Sequence, residues 1–513
     1  MHRPPTAEAR VAEELAVVRP ALLPRYTAEL PGARAAVLTR LWRGLTHEPL
    51  PWVTGRVRGT HSLALRLADG RTLYGPHADP YATSAYVTGL RLDRERHTDP
   101  AGLITALGVP NGAAFAAELA DSVASLALSR AGADHPKEWP AGVPPAEGRG
   151  RDWEWEQRVT DGHPYHPNCR ARPGFSVADQ LAYAPEHRPV VELGTVPVPA
   201  DGCLVTGDWP DDLRDGGRLL LPVHPWQADH VLRRSYDAWR PARPLLSLRT
   251  LALPGGPHVK TALSARLTSS VRDMSAYSVQ AAAPLSVLAE ELTARTDGLL
   301  HLTRTLGAAS AHSPDLAALL RESPGAYAGE GEQVLPVAAL PMTGLPDSPA
   351  WMTAFTRLSL TVGLRLLELG VALEAHGQNL LVIVSADGTP VRLVYRDLAD
   401  IRISPARLTR HGLTPPPLTG RLITDDERDL RRKLFGSLVA GALAGTAGSG
   451  PALGAALATA VPDLPVTADL GALCEGPLPA KALTLMRLSP RTPGDQWTSL
   501  PNPLVLEPGP SDQ

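Results

Sequence analysis

Glu374-Ala375-His376-Gly377-Gln378-Asn379 is followed by an apolar run, an Asp387-Gly388 turn, a second apolar run and Arg396-Asp397. Carboxylate, amide and imidazole groups at one point form a donor set for a hard divalent cation, which takes oxygen ligands and leaves room for phosphate and water. The two apolar runs, 380–384 and 391–395, read as strands of a hairpin because they are partly β-branched and enclose Asp-Gly. Asn379 and Asp397 are equidistant from Gly388, so closing the hairpin is expected to bring them together at its open end. The chemistry this predicts is a nucleotide-bound Mg²⁺, an ATP site. A surface hairpin with solvated polar ends is the plainer alternative.

Two further clusters suit anions. Gly162-His163-Pro164-Tyr165-His166-Pro167-Asn168-Cys169-Arg170-Ala171-Arg172 packs two His and two Arg into ten positions. Pro restricts the residue before it to extended backbone, so His163 and His166 are held on a stiff segment and, with Arg170 and Arg172, could cradle a carboxylate. A Pro-rich loop with solvated bases is the competing reading, and zinc is disfavoured because no Cys or carboxylate sits at ligand spacing. Ser247-Leu248-Arg249, Lys260, Thr268 and Arg272 place hydroxyls and strong cations in strand-like surroundings. Ser247 and Arg249, two apart, are expected to share one face of a strand over 245–253. Such charges need anionic partners if buried, and a triphosphate supplies them; an exposed edge strand would not need one. His224-Pro225-Trp226-Gln227 reads as a structural turn around a packed Trp.

The elements that must position these groups follow from periodicity. Trp351, Phe355, Leu358, Val362, Leu366 and Leu369 recur at spacings of three and four, one face of a helix that opens with Asp347-Ser348-Pro349, a cap before a first-turn Pro. Strands are expected over 219–223, 245–253 and 259–267, a strand pair over 58–67 and 72–74, and an amphipathic helix over 113–131. The stretch 135–151, with four Pro among Gly and charged residues, reads as a linker or long loop. The apolar tract 434–461 reads as two packed helices, because its small residues and Pro451 make a poor membrane span.

At 513 residues the chain is long enough for several domains. Hydrophobic residues at 43% and charged ones at 20% suit a globular protein. Fifty basic and 53 acidic residues leave a formal charge of −3, which gives no footprint for nucleic acid. Cys169, Cys203 and Cys474 show neither disulfide nor zinc spacing and suit a reducing cytoplasm. The start of the chain lacks the apolar region of a signal peptide, so neither membrane nor nucleic-acid partners are expected.

Taken together and in order, the Gly-His-Pro-x-His-Pro segment at Gly162, Ser-x-Arg-Thr at Ser247, Lys260 and the Thr-x-x-x-Arg at Thr268, His-Gly-Gln-Asn at His376, Arg-Asp at Arg396, and Lys481 with Asn502-Pro503-Leu504 resemble the IucA/IucC family. These are the NRPS-independent siderophore (NIS) synthetases. The resemblance covers residues from about 151 onward; the N-terminal part matches in length and helical character.

The resemblance implies an α+β multidomain fold shaped like a hand: a mostly helical thumb over 1–140, a β-rich fingers domain over 141–335 and a mainly helical, kinase-like palm over 336–513. It implies ATP and Mg²⁺, a carboxylic acid of the citrate, citryl or succinyl type, an amine, hydroxylamine or alcohol as acceptor, and a homodimer. Ser247, Arg249, Lys260, Thr268, Arg272, Gln378, Asn379 and Asp397 would face the nucleotide. Glu374, Asn379 and Asp397 would serve the metal, and His163, His166, Arg170, Arg172 and His376 the acyl substrate. His163, His166, Lys260, Arg272 and His376 would act in catalysis. Where relatives have Lys, this chain has Arg170, a planar fork in place of a point charge. A phosphotransferase built on the His376 to Asp397 unit and a catalytically silent binding homologue are the alternatives.

Overall fold

The computed structural model describes residues 6–60, 62–133, 152–268 and 270–505, so the expected linker over 135–151 lies outside the described residues. The helix Pro349–Leu369 starts where its cap predicts, with Ser348 Oγ accepting from the Trp351 N–H at 3.3 Å. It ends at Gly370, whose φ of 110° only glycine adopts easily. Its buried face includes Trp351, Phe355, Val362, Leu366 and Leu369. Trp351 stacks on Phe355 and donates its Nε1–H to Gly388 O at 2.7 Å, so the helix holds the tip of the neighbouring hairpin.

That hairpin is Leu380–Val384 paired with Pro390–Tyr395. Leu300–Leu302 joins it in parallel and Gln333–Pro336 antiparallel, completing a four-stranded sheet. The strands are almost wholly apolar because both faces are covered. Leu380, Val382, Leu393 and Tyr395 enter the main palm core, whereas Leu381, Ile383 and Val394 pack with Val334 on the other side. Two of the sheet's four strands thus end at or before residue 336, and the helix Ala276–Thr293 also contributes Ala281, Leu285, Leu288 and Leu292 to the palm core.

The fingers form a nine-stranded sheet. Val259 enters its hydrophobic core with Leu193, Leu221, Leu251 and Leu320, so alternation sends Lys260 to the opposite face. Two expected strands are corrected here. The run 245–253 is a turn followed by the short strand Thr250–Ala252. The run 259–267 divides at Ala262 into His258–Thr261 and Leu263–Leu267. Apolar residues fill these breaks, so composition alone conceals them.

The thumb carries the helices Ala7–Val18, Leu23–His47, Pro100–Leu107 and Gly112–Gly132, together with a five-stranded antiparallel sheet larger than the expected strand pair. The expected strand 58–67 is broken by a turn in which the Gly59 N–H bonds Ser62 O at 2.8 Å. The helix Leu483–Leu488 closes this core from the far end of the sequence, burying Leu485 and Leu488 in it beside Ala482. Glu48 caps that helix, accepting from Thr484 N at 3.1 Å and Leu485 N at 2.7 Å. The tract 434–461 forms successive helical segments broken at Gly448 (φ 77°), and among the described residues no helix is long and apolar enough to cross a membrane.

Replacing Glu48 by Ala strands two helix-terminal N–H groups in the seam. Thermal or urea unfolding is expected to show a loss of about 2–4 kcal/mol, and local hydrogen exchange to accelerate at 483–486.

Candidate active site

Thumb, fingers and palm enclose a cleft of about 1390 Å³, and every residue singled out above for nucleotide, metal or acyl chemistry lines it. Asp397 lies at the centre of its charged wall. Lys260 Nζ is 2.5 Å from Asp397 Oδ2. Burial alone would push the Asp397 carboxyl up, but the charges of Lys260, Arg321 and Arg249 outweigh it and hold the group far below the carboxylate range. Burial lowers Lys260 to about 8 against the attraction of Asp397, and lowers Arg249 to about 10. Arg272 is also lowered by burial. Four buried or half-buried cations therefore surround one carboxylate, an excess that an anionic ligand would neutralise.

Ser247 and Arg249 reach this wall from a turn, not from one strand face. The Leu248 N–H bonds Leu245 O at 2.9 Å, and Leu248 has φ 61°. Ser247 Oγ donates to Thr250 Oγ1 at 2.8 Å and accepts from Thr250 N at 3.1 Å. Arg249 Nη1 donates to the carbonyls of Arg272 and Asp273, each at 2.6 Å. Thr268 lies in the adjoining hairpin turn with φ 58°, and Arg272 Nη2 bonds Leu267 O at 3.1 Å. Arg321 was missed by sequence reasoning. It pairs with His258, two residues before Lys260 on the same face, so only strand pairing reveals it.

The imidazoles share one local device. His163 Nδ1 accepts from Tyr165 N and His166 N, both at 3.1 Å; His166 Nδ1 accepts from Asn168 N at 2.9 Å; His376 Nδ1 accepts from Gln378 N at 3.3 Å. The same turn occurs at His224, with Trp226 N at 3.2 Å and Trp226 stacked on Phe175, which makes that motif the structural turn expected. A backbone N–H can only donate, so Nδ1 is the acceptor and the neutral ring carries its proton on Nε2. Burial pushes His163 well below its ordinary value, His166 and His224 to about 3, and lowers His376. The cleft thus presents neutral N–H donors. Gly162, at φ 68°, permits the loop to close, since a Cβ there would lie 2.3 Å from Cys169 O. Arg40, from the thumb, was also missed; its Nε bonds His163 O at 3.0 Å.

Arg170 and Arg172 line the cleft with most of their donors engaged by other groups, which corrects the carboxylate-cradle reading for Arg170, while Arg172 Nη2 has no hydrogen-bond partner among the described residues. Arg170 bonds Thr160 O at 2.6 Å and Val159 O, and Arg172 Nη1 lies 2.7 Å from Glu186. Burial would raise Glu186, but Arg172 and Arg170 outweigh it and hold the carboxyl well below its usual range. Glu186 sits 14 positions beyond Arg172 on a separate turn, Pro185–His187, with no local signal to mark it.

On the palm side Glu374 Oε1 is 2.9 Å from Lys481 Nζ and 3.2 Å from Lys433 Nζ. Burial, which raises its pKa, is outweighed by these lysines, leaving it at about 2. Asn379 faces Arg396 across the hairpin, whose N–H bonds Asn379 O at 3.0 Å: the turn pairs Ser385 with Thr389 and so centres on Asp387, and the one-residue shift between Ile383 and Val384 brings Arg396, not Asp397, opposite Asn379. Asp397 follows one step on, with φ 74°. Asn379 and Asp397 are therefore neighbours, not a directly opposed pair. Asn502 is structural, its Nδ2 bonding Leu473 O at 2.7 Å and Gly476 O at 2.8 Å. Among the described residues no group of three or more His, Cys, Asp or Glu side chains is placed to hold a metal. The donors Asp397 and Asn379 fit a Mg²⁺ that keeps waters and takes its remaining ligands from phosphate. Glu374, already neutralised by two lysines, fits less well.

The fold is that of solved siderophore-biosynthesis proteins. The chain superposes on the petrobactin biosynthesis protein AsbB from Bacillus anthracis str. Sterne with a TM-score of 0.75 at 19% identity, covering 94% of this chain and 97% of that one. It also superposes on ATP-bound aerobactin synthetase IucA from a hypervirulent pathotype of Klebsiella pneumoniae, with a TM-score of 0.71 at 19% identity, covering 93% and 99%. The architecture is the α+β hand of thumb, fingers and palm. Residues 152–342 match the IucA / IucC family model. Residues 349–450 match a second model, described as ferric iron reductase FhuF-like transporter. Among curated relatives, the citryl-spermidine/3,4-dihydroxybenzoyl-citryl-spermidine:spermidine ligase of Bacillus anthracis is 26% identical over 312 residues, 48% of this chain and 50% of the relative. The chain spans about half the length of the curated relatives it matches.

The buried imidazoles make stability depend on pH. Unfolded, His166 and His224 protonate near 6.5; folded, they stay neutral to about 3. The unfolded chain therefore binds more protons below 6.5, so their stabilising contribution is intact above that pH and is lost as pH falls. Urea unfolding is expected to show the pair lowering stability by about 3 kcal/mol between pH 6.5 and 5, and His224→Gln to flatten that slope.

Proposed function

We propose that the chain is an ATP-dependent synthetase that adenylates a carboxylic acid of the citrate, citryl or succinyl type. It then condenses the acyl group with an amine, hydroxylamine or alcohol, in the biosynthesis of a siderophore or a related natural product. The observation that carries this is the excess of cations around Asp397 beside a row of neutral imidazole donors in one cleft. Relatives named as ligases support it, including D-ornithine–citrate ligase and staphyloferrin A synthase of Staphylococcus aureus.

In the first half-reaction a carboxylate oxygen bonds to the α-phosphorus, the bond from that phosphorus to the bridging oxygen breaks, and the electron pair leaves with pyrophosphate. Lys260, Arg249, Arg272 and Arg321 stabilise the charge on the phosphates and on the departing group. Bound Mg²⁺, held by Asp397 and Asn379, would supply further charge neutralisation. The Nε2–H groups of His163, His166 and His376 orient the acid as neutral donors. Glu374 fixes the lysines and the His376 loop, a positioning role that fits its contacts better than metal ligation. In the second half-reaction the deprotonated acceptor attacks the acyl carbonyl and AMP leaves, a step that proximity alone accelerates strongly. The free thiols of Cys169, Cys203 and Cys474 suit the cytoplasm, and a homodimer belongs to the same reading.

Purified protein incubated with ATP, a panel of such acids and hydroxylamine is expected to release AMP and pyrophosphate with one of them; ADP as the nucleotide product would overturn the synthetase reading. Lys260→Ala and Arg272→Ala are expected to cut pyrophosphate release by about 100-fold or more with circular dichroism unchanged, and full turnover in a folded variant would remove them from the phosphate site. Asp397→Asn is expected to raise the Mg²⁺ concentration for half-maximal rate by about 10-fold or more; an unaltered titration would take it out of the metal shell.

A further inference from the structure

Glu156 does not line the cleft, yet one carboxylate holds two segments that do. Its Oε2 accepts the Leu246 N–H at 3.0 Å, at the head of the turn that carries Ser247 and Arg249. Its Oε1 pairs with Arg396 Nη1 at 2.6 Å, one residue before Asp397. The other arms of Arg396 bond Gln378 O, Nε at 3.1 Å and Nη2 at 2.9 Å, so the same guanidinium also fixes the loop bearing His376 and Asn379. Both Glu156 and Arg396 are buried.

The backbone gives this tie a purpose. Leu248 (φ 61°) and Asp397 (φ 74°) stand in the left-handed region without being glycine, a conformation that persists where its surroundings over-determine it. Each lies within two residues of an atom anchored by Glu156. The short helix Trp153–Glu156 that carries the carboxylate is itself fixed to the same parts of the fingers. Gln157 Nε2 bonds Pro244 O at 3.2 Å, and Asp152 Oδ2 lies 3.1 Å from His258 Nε2, two residues before Lys260.

We propose that Glu156 is a positioning residue of the nucleotide site, its carboxylate setting the spacing between the Ser247–Arg249 turn and Asp397 and, through Arg396, the His376–Asn379 loop. This rests on the reading of those segments as the ATP site. Two measurements on the full chain test it. In Glu156→Gln, hydrogen–deuterium exchange without nucleotide is expected to accelerate at 245–250, 376–379 and 396–398 only. The KM for ATP is expected to rise by about 10-fold or more, while the KM for the acid stays within about 2-fold. In a Glu156→Gln/Arg396→Gln pair the loss is expected to be no greater than in Arg396→Gln alone. Uniformly faster exchange with an unchanged KM for ATP, or multiplicative losses in the pair, would overturn the proposal in favour of a purely stabilising ion pair. Should Glu156→Gln not fold, Glu156→Asp, which keeps the charge but shortens the arm, has the same two outcomes. Because exchange is read without turnover, a wild-type protein that makes ADP would sink the synthetase reading and leave the tie to be judged on exchange alone.

Discussion

The Lys260–Asp397 ion pair and the arginines crowding it are the constraint on which the rest depends. Like charges repel strongly where water is scarce, and among the described residues Asp397 is the one carboxylate whose charge acts on all four of Lys260, Arg249, Arg272 and Arg321. The surrounding structure serves to hold that imbalance. Arg249 is clamped onto two backbone carbonyls, Arg272 onto a third, and the acid at the centre is fixed on a turn in a conformation unusual for Asp. The result is a wall organised in advance for a polyanion, with the cost of ordering its donors met during folding.

Beside that wall the imidazoles use the reverse strategy. They contribute no charge near neutral pH and no freedom of tautomer, because each Nδ1 is occupied by a main-chain N–H. A single cleft therefore contains a strongly electropositive region and a region of neutral donors. The first suits phosphates and the second suits a carboxylate that must remain nucleophilic, since a protonated imidazole would draw electron density away from the attacking oxygen.

What the sequence made legible was local. The helix from Pro349, the Asp-Gly hairpin and the His-Pro segments are each specified by residues a few positions apart, and each formed as read. The failures are of two kinds. The Leu-Leu-Ser-Leu stretch at 245–248 has strand composition but folds as a turn stabilised by Ser247 and Thr250, a side-chain bond that competes with the ladder. The hairpin turn centres on Asp387, not Gly388, and even after a one-residue register shift Asn379 faces Arg396 and not Asp397, so symmetry about Gly388 misplaces the pair. The other kind is non-local. Glu186 claims Arg170 and Arg172, Glu156 claims Arg396, and Arg321 joins Lys260 by strand pairing; none of these partners lies near its counterpart in sequence. Pattern finds the donors and cannot say which are already engaged.

The helix Leu483–Leu488 seats Leu485 and Leu488 in the thumb core and satisfies Glu48, which lies 436 positions earlier than Thr484. During synthesis at about 5–20 residues per second, that separation amounts to about 20–90 seconds in which the thumb has emerged without the piece that closes it. Over that interval an apolar groove and the unpaired Glu48 carboxylate face solvent. The nascent thumb is thus most exposed to aggregation and proteolysis before the helix Leu483–Leu488 is made.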